Sequence, residues 1–262
     1  MTRRILITGA SAGLGAALAH EYASRGWDLV LVARREERLQ ALAADLNTRH
    51  GTNSQIIAAD LFSETAVEDL MAALGGVQVD GLINNAGYGH PGTFLASAWE
   101  DHQRFNHLMT VVPVELTRAL LPGMVERGFG RVMQVASLAG HMPGSKGHTL
   151  YAAVKAYLIK FSESLNAEML NKGVHVSALC PGFVLTEFHD VNGTREGINS
   201  LPGFMVMKAD MCARLAADAL EDNKAVFISG RVNRFLARLN RWAPWLGRKV
   251  MNSGSRKYRK AE

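Results

Sequence analysis

Tyr151 and Lys155 stand four residues apart, a spacing that puts both side chains on one face if the segment is helical. A lysine cation held near a phenol favours the phenolate and pulls the tyrosine below its ordinary pKa of about 10. A tyrosine tuned in this way is a usable general acid and base. The same spacing also describes an exposed helical pair, so other groups must decide between the two readings.

The run TGASAGLG at residues 8–15 is the second chemical signal. Gly9, Gly13 and Gly15, with Ser11 and Leu14 between them, allow a tight turn. They also let a diphosphate approach backbone N–H groups at the positive end of the helix that follows. Glycines also end strands for steric reasons, and it is the order strand, loop, helix that raises this loop above the background. After the second strand-like run, Arg34 and Arg35 stand where an acid would receive ribose hydroxyls. A guanidinium makes two charge-assisted hydrogen bonds to a 2′-phosphate, so NADP(H) is favoured over NAD(H), with Ser11 placed to add a hydroxyl. The arginines fit equally the opening of a solvated helix, ARREERLQAL.

These groups need a scaffold, and the hydrophobic pattern describes one. Apolar runs at 4–8, 28–33, 55–59, 81–84, 131–135, 174–179 and 225–228 read as seven strands. Segments 13–25, 36–49, 65–74, 100–126, 151–171 and 208–220 carry apolar residues at helical spacing. Strands this apolar, joined by long crossovers, predict a doubly wound (Rossmann) α/β fold: one parallel seven-stranded sheet with helices on both faces. Residues 1–230 form a single domain in this reading, with a substrate loop at about 182–205 and a tail at 231–262. Phe183, Phe188, Leu201, Phe204 and Met205 are available there to line an apolar pocket, or to form core.

Composition narrows the function. The chain has 262 residues, 48% hydrophobic and 20% charged, as expected of one globular domain. Cys180 and Cys212 are too few for a disulfide framework and read as buried thiols in a reducing compartment. No export signal and no apolar stretch of spanning length stands out, so a cytoplasmic protein that does not cross a membrane is expected. The nine histidines show no ligand pattern, and no metal is predicted. His102, His107, His141 and His148 read as surface or packing residues. No G-x-S-x-G turn suggests a serine hydrolase.

TGASAGLG, NNAG at 84–87, Ser137 after the fifth strand, YAAVK at 151–155 and PGFVLT at 181–186 occur in one order. In that order and spacing the sequence resembles the short-chain dehydrogenase/reductase family, in its compact subfamily, over about residues 3–219. The resemblance implies a reductase that works between a nicotinamide and a ketone, aldehyde or secondary alcohol. It implies that Tyr151 exchanges the proton with the carbonyl oxygen and that Ser137 polarises that oxygen. Lys155 would hold the nicotinamide ribose and depress the tyrosine, while Asn106 would anchor a relay water. Asp60, with Leu61 beside it, would accept from the adenine amino group. Asn85, Ala86 and Gly87 would line the cofactor, although Asn84 and Asn85 also suit a purely structural role. Pro181, Gly182, Val184 and Thr186 would pin the carboxamide. Relatives of this kind suggest a homodimer or homotetramer. The alternative is a binding module that senses NADPH without turnover, or an interaction protein acting through its tail.

The tail carries the basicity. From residue 231 onward there are ten Lys and Arg against one Glu, while the rest of the chain holds 19 basic against 23 acidic residues. A near-neutral body with a basic appendage argues against nucleic acid and for a local contact. Phe235, Leu239, Trp242 and Leu246 fall on one side of a predicted helix, and Arg231, Arg234, Arg238 and Arg241 along another, with Pro244 as its stop. The pattern suits peripheral contact with the inner membrane face; it also suits packing on the enzyme's own body or on a partner subunit. The substrate expectation, an apolar fatty-acyl or sterol-like carbonyl compound, rests on this tail and on the loop.

Overall fold

A computed structural model describes residues 2–89, 93–144, 149–187, 202–243 and 245. Seven strands form the central sheet: β1 (Arg4–Thr8), β2 (Asp28–Ala33), β3 (Ser54–Ala58), β4 (Gly81–Asn84), β5 (Gly130–Val135), β6 (Val174–Cys180) and β9 (Val226–Ile228). Their order is β3-β2-β1-β4-β5-β6-β9, and every pairing is parallel. A parallel strand is buried on both faces, which is why these segments read as unbroken apolar runs. Side chains still alternate. Ile5, Ile7, Leu29 and Leu31 enter one core layer and Leu6, Val30 and Val32 the other.

The first layer is closed by α1 (Gly13–Ser24), α2 (Glu36–His50) and α7 (Ala209–Glu221), through Leu18, Tyr22, Leu39, Leu46, Ala213 and Leu220. On the opposite face lie α3 (Ala66–Leu74), α5 (Val112–Glu126) and α6 (Thr149–Glu168), through Leu70, Leu116, Leu120, Met124 and Leu165. Cys180 and Cys212 are free and buried, as expected of core thiols, and burial pushes them up to about 12 and about 11.

Two departures from the sequence reading, and one helix that forms as expected, matter for the site. The helix expected over 100–126 is α4 (Trp99–Asn106), a π turn (His107–Val111) and α5 in succession. The rod Trp99–Glu126 contains an 18-residue window of mean hydropathy 1.4, long and apolar enough by composition alone to cross a membrane. Its apolar residues Leu108, Val112, Leu116 and Leu120 are spent on the second core layer. The expected loop at 182–205 begins and ends in strands: β7 (Phe183–Leu185) pairs in parallel with β8 (Val206–Lys208). The tail helix, α8 (Arg231–Trp242), forms where the sequence placed it, and its Phe235 and Trp242 face outward. Of the loop residues expected to line a pocket, Phe183 and Met205 are half-buried; Phe188, Leu201 and the Phe204 side chain lie outside the described residues, as do Leu246, Pro244 and His148.

Candidate active site

The strand order reverses between β1 and β4, so the loops leaving these neighbouring strands diverge and open a crevice at their carboxyl ends. The glycine loop follows β1 and NNAG follows β4. Thr8 joins them: its Oγ1 accepts from the N–H groups of Asn85 and Ala86, each at 3.0 Å. Asn85 returns two bonds through Nδ2, to the carbonyls of Thr8 (2.9 Å) and Gly9 (3.1 Å). Asn84 donates to Pro113 O and Thr117 Oγ1 and so ties β4 to α5. Both asparagines therefore knit the crevice, the structural role held open for them.

Gly9 and Gly13 adopt positive φ, 66° and 58°, which a side chain resists. Gly15 is packed so that a Cβ would strike the Gly9 carbonyl and the Asn85 amide. Gly15→Ala is expected to cost about 3 kcal/mol or more. Thermal melting checks this, and a variant that melts with the native protein would refute the packing argument. Ala12, at the N-cap of α1, brings no capping side chain, and no acid sits in the first turn. The amide N–H groups of that turn suit an anion.

An acidic group already marks the second anion position. Arg38 NH1 holds both carboxylate oxygens of Glu187, at 3.0 and 2.8 Å, and Arg35 NH1 reaches the same carboxylate at 3.5 Å. Arg35 also donates to Ser11 Oγ from Nε (3.3 Å) and NH2 (3.1 Å). The Arg38 guanidinium holds the Glu187 carboxyl below its ordinary range. Arg34 turns away instead, its guanidinium 5.6 Å from the Phe62 ring centroid. Arg38 and Glu187 were not anticipated from sequence; Arg38 lies one helical turn past Arg34 and Arg35, and that periodicity was the available signal. Asp60 is exposed and its Oδ1 accepts from Phe62 N at 3.2 Å, while Leu61 is buried.

Catalytic candidates converge beyond β5. Ser137 caps a 3₁₀ turn (Leu138–His141), accepting from Ala139 N at 3.1 Å. The hydroxyls of Ser137 and Tyr151 are hydrogen-bonded, which pulls the phenol down, but desolvation is the larger effect and Tyr151 is raised above its ordinary range. Lys155 is buried, 6% exposed, and burial holds its ammonium down at about 8. It donates to Val135 O at 2.7 Å and stands 5.7 Å from the Tyr151 ring centroid. The expected depression of the phenol is outweighed by burial, and the Lys155 ammonium directs one of its three N–H donors to the Val135 carbonyl.

Asn106 ends α4 where the π turn begins, and its carbonyl accepts from Thr110 Oγ1 at 2.7 Å. A small pocket beside Lys155 is lined by Thr8, Asn84, Met109 and Val112, and Asn106 is not among its lining residues. Gly87 lies against Met109, Thr186 against Gly13, and Gly182 against Asn233. Pro181 O accepts from Leu138 N at 2.8 Å, which ties PGFVLT to the Ser137 turn; Val184 is buried in the first core layer. Among the described residues no group of three His, Cys, Asp or Glu could hold a metal. His102 is buried, stacked on Phe94, with Nε2 2.8 Å from Phe94 O.

A doubly wound sheet, an uncapped glycine turn at its switch point and a Ser–Tyr–Lys group at the next strand ends define a dinucleotide-dependent oxidoreductase. The chain belongs to the short chain dehydrogenase family, whose description matches residues 3–196. It is 39% identical over 197 residues to a sulfoacetaldehyde reductase of Chromohalobacter salexigens, covering 72% of this chain and 75% of that one. It is 32% identical to a very-long-chain 3-oxoacyl-CoA reductase of Anas platyrhynchos, over 71% of this chain and 61% of the other. A solved short-chain dehydrogenase from Sphingobium yanoikuyae, in complex with NADPH, superposes with a TM-score of 0.81 at 32% identity, covering 99% and 97% of the two chains.

Proposed function

We propose that this enzyme is an NADPH-dependent carbonyl reductase acting on an apolar ketone or aldehyde. The observation that carries the reading is the Ser137–Tyr151 hydroxyl pair, set beside buried Lys155 at the carboxyl edge of β5. When bound, a nicotinamide cofactor would supply the hydride that reduces the carbonyl carbon. Ser137 donates a hydrogen bond to the carbonyl oxygen, and Tyr151, protonated at neutral pH because burial raises it, gives that oxygen its proton. Lys155 faces a small pocket that it shares with Asn84 and Thr8.

The 2′-phosphate is assigned to Arg35, Arg38 and Ser11. The carboxylate these arginines now hold supports the fit, since a phosphate is the stronger partner for two guanidiniums. Arg35→Ala with Arg38→Ala is expected to weaken 2′,5′-ADP binding about 10–100-fold and to leave 5′-AMP nearly unchanged. Glu187→Gln is expected to tighten 2′,5′-ADP. Calorimetry decides, and equal losses for both nucleotides would remove the assignment.

An apolar substrate is supported by the side chains around the phenol: Phe105, Met109, Tyr88 and Leu150 pack in one cluster with Tyr151. The relatives named above act, by their names, on sulfoacetaldehyde and on very-long-chain 3-oxoacyl-CoA, so the apolar side chains packed around the phenol carry the argument. NADPH oxidation across fatty-acyl, steroid, quinone and small carbonyl compounds tests it; turnover confined to small polar carbonyls would refute an apolar pocket. The enzyme is read as a cytoplasmic homodimer or homotetramer joined through α5 and α6. Exposed Val111 and the stacked Tyr157–Phe161 pair support that face.

A further inference from the structure

Helix α8 has an inner face that is fully employed and an outer face that is not. On the inner side Asn233 is buried, donates to Ser229 O at 2.7 Å and lies tight against Gly182. Ala237 is buried, and Asn240 Nδ2 donates to His141 O at 2.6 Å. The helix thus braces both the turn opened by Ser137 and the PGFVLT segment. On the outer side, Arg231, Phe235, Arg238 and Trp242 follow one another at i, i+4, i+7 and i+11. Phe235 is 63% exposed and Trp242 84%, and Trp245 just beyond is 67% exposed. Residues 231–242 contain four arginines and no acid. Among the described residues no carboxylate pairs with any of the four.

We propose that this face docks the protein on an anionic phospholipid bilayer. Aromatic rings of this kind settle at the boundary between headgroups and acyl chains, and arginines beside them meet lipid phosphate. Charge decides against a second copy as the occupant. Two α8 helices packed face to face would bring arginine against arginine with no acid to separate them. Sequence beyond residue 245 adds six Lys and Arg against one Glu, so long-range attraction has the same sign. Docking this way sets the substrate segments braced by α8 next to the lipid, which is where an apolar carbonyl compound would be found.

Co-sedimentation of the full chain with large unilamellar vesicles tests the inference, using phosphatidylcholine alone and phosphatidylcholine mixed with phosphatidylglycerol. Binding is expected only to the mixed vesicles and to weaken with salt. Arg238→Gln with Arg241→Gln should lower it about 30-fold. Phe235→Ser with Trp242→Ser should lower it at least as far, with NADPH binding and turnover of a water-soluble carbonyl unchanged in both variants. Native protein that ignores anionic vesicles would overturn the proposal. So would aromatic variants that bind vesicles normally, or that drop to a smaller oligomer by light scattering. Capture of the native protein by duplex DNA at the same salt, with none by vesicles, would assign the face to nucleic acid instead.

Discussion

Tyr151→Phe is expected to keep NADPH binding within a few-fold of native while turnover falls about 10²–10⁴-fold, the usual contribution of a placed acid or base. The substitution removes one oxygen from a ring that packs with Phe105 and Val154, so the fold has no reason to change. Direction and pH follow from the same phenol. Burial raises it above its ordinary range, so at neutral pH it carries the proton that reduction consumes. Oxidation of an alcohol needs the phenolate, and its rate should climb with pH through the alkaline range while reduction levels off and then falls. Initial rates in both directions, from about pH 7 to 10, check this. An oxidation rate flat across that range would remove Tyr151 as the base.

Lys155→Met is expected to divide activity from stability. Turnover should fall at least about 10²-fold, because the cation 5.7 Å from the Tyr151 ring, which the family resemblance assigns to the nicotinamide ribose, is gone. The cofactor-free protein, by contrast, should become more stable at neutral pH. Burial holds the folded ammonium down at about 8, below its value in the unfolded chain, so the native state binds the proton more weakly than the unfolded state does. This group opposes folding most below about pH 8. Its penalty is relieved as pH rises from the folded value toward the unfolded one. Methionine keeps the stem and discards the charge, a gain on the order of 2 kcal/mol after the lost bond to Val135 O is subtracted. The advantage should shrink toward pH 10. Comparing native and variant matters, since Cys180, Cys212 and Tyr22, all raised by burial, lower native stability over the upper part of that range. Denaturant unfolding at several pH values measures the difference; a variant less stable than native at pH 7 would mean the charge is better compensated than its burial suggests.

All seven strands of the central sheet were legible because parallel strands bury both faces and leave continuous apolar runs; their ends shift by a residue or so, as at Ser54–Ala58. The β7–β8 ribbon was not legible: two three-residue strands separated by about twenty residues carry no period to detect. Four of the five motifs follow strands whose places the fold dictates, and the fifth, YAAVK, lies in the first turns of α6. The partners within the site were less accessible. Arg38 meets Glu187 across 149 residues of sequence, and no local pattern announces that pairing. Lys155 was correctly placed on the face of Tyr151, but a four-residue spacing says nothing of a nearby carbonyl competing for the ammonium. In α8 the periodicity put arginines and aromatics on different sides, whereas the structure sets Arg231 and Arg238 beside Phe235 and Trp242 on one exposed face and turns Asn233 and Asn240 to the body.

The π turn at His107–Val111 gives one continuous rod two angular settings. An α-helix advances about 100° per residue, so a turn with one residue more than usual offsets everything before it from everything after it by about that angle. Removing a single residue from this turn would leave a straight, well-bonded helix and keep α5 seated on the sheet. It would also rotate α4 by more than a quarter turn, lifting Phe105 out of the cluster it forms with Met109, Val154 and Tyr151. The extra residue works as a gear tooth: the chain can exchange side chains along this rod, but it cannot change their number there without turning the wall of the active site away from the phenol.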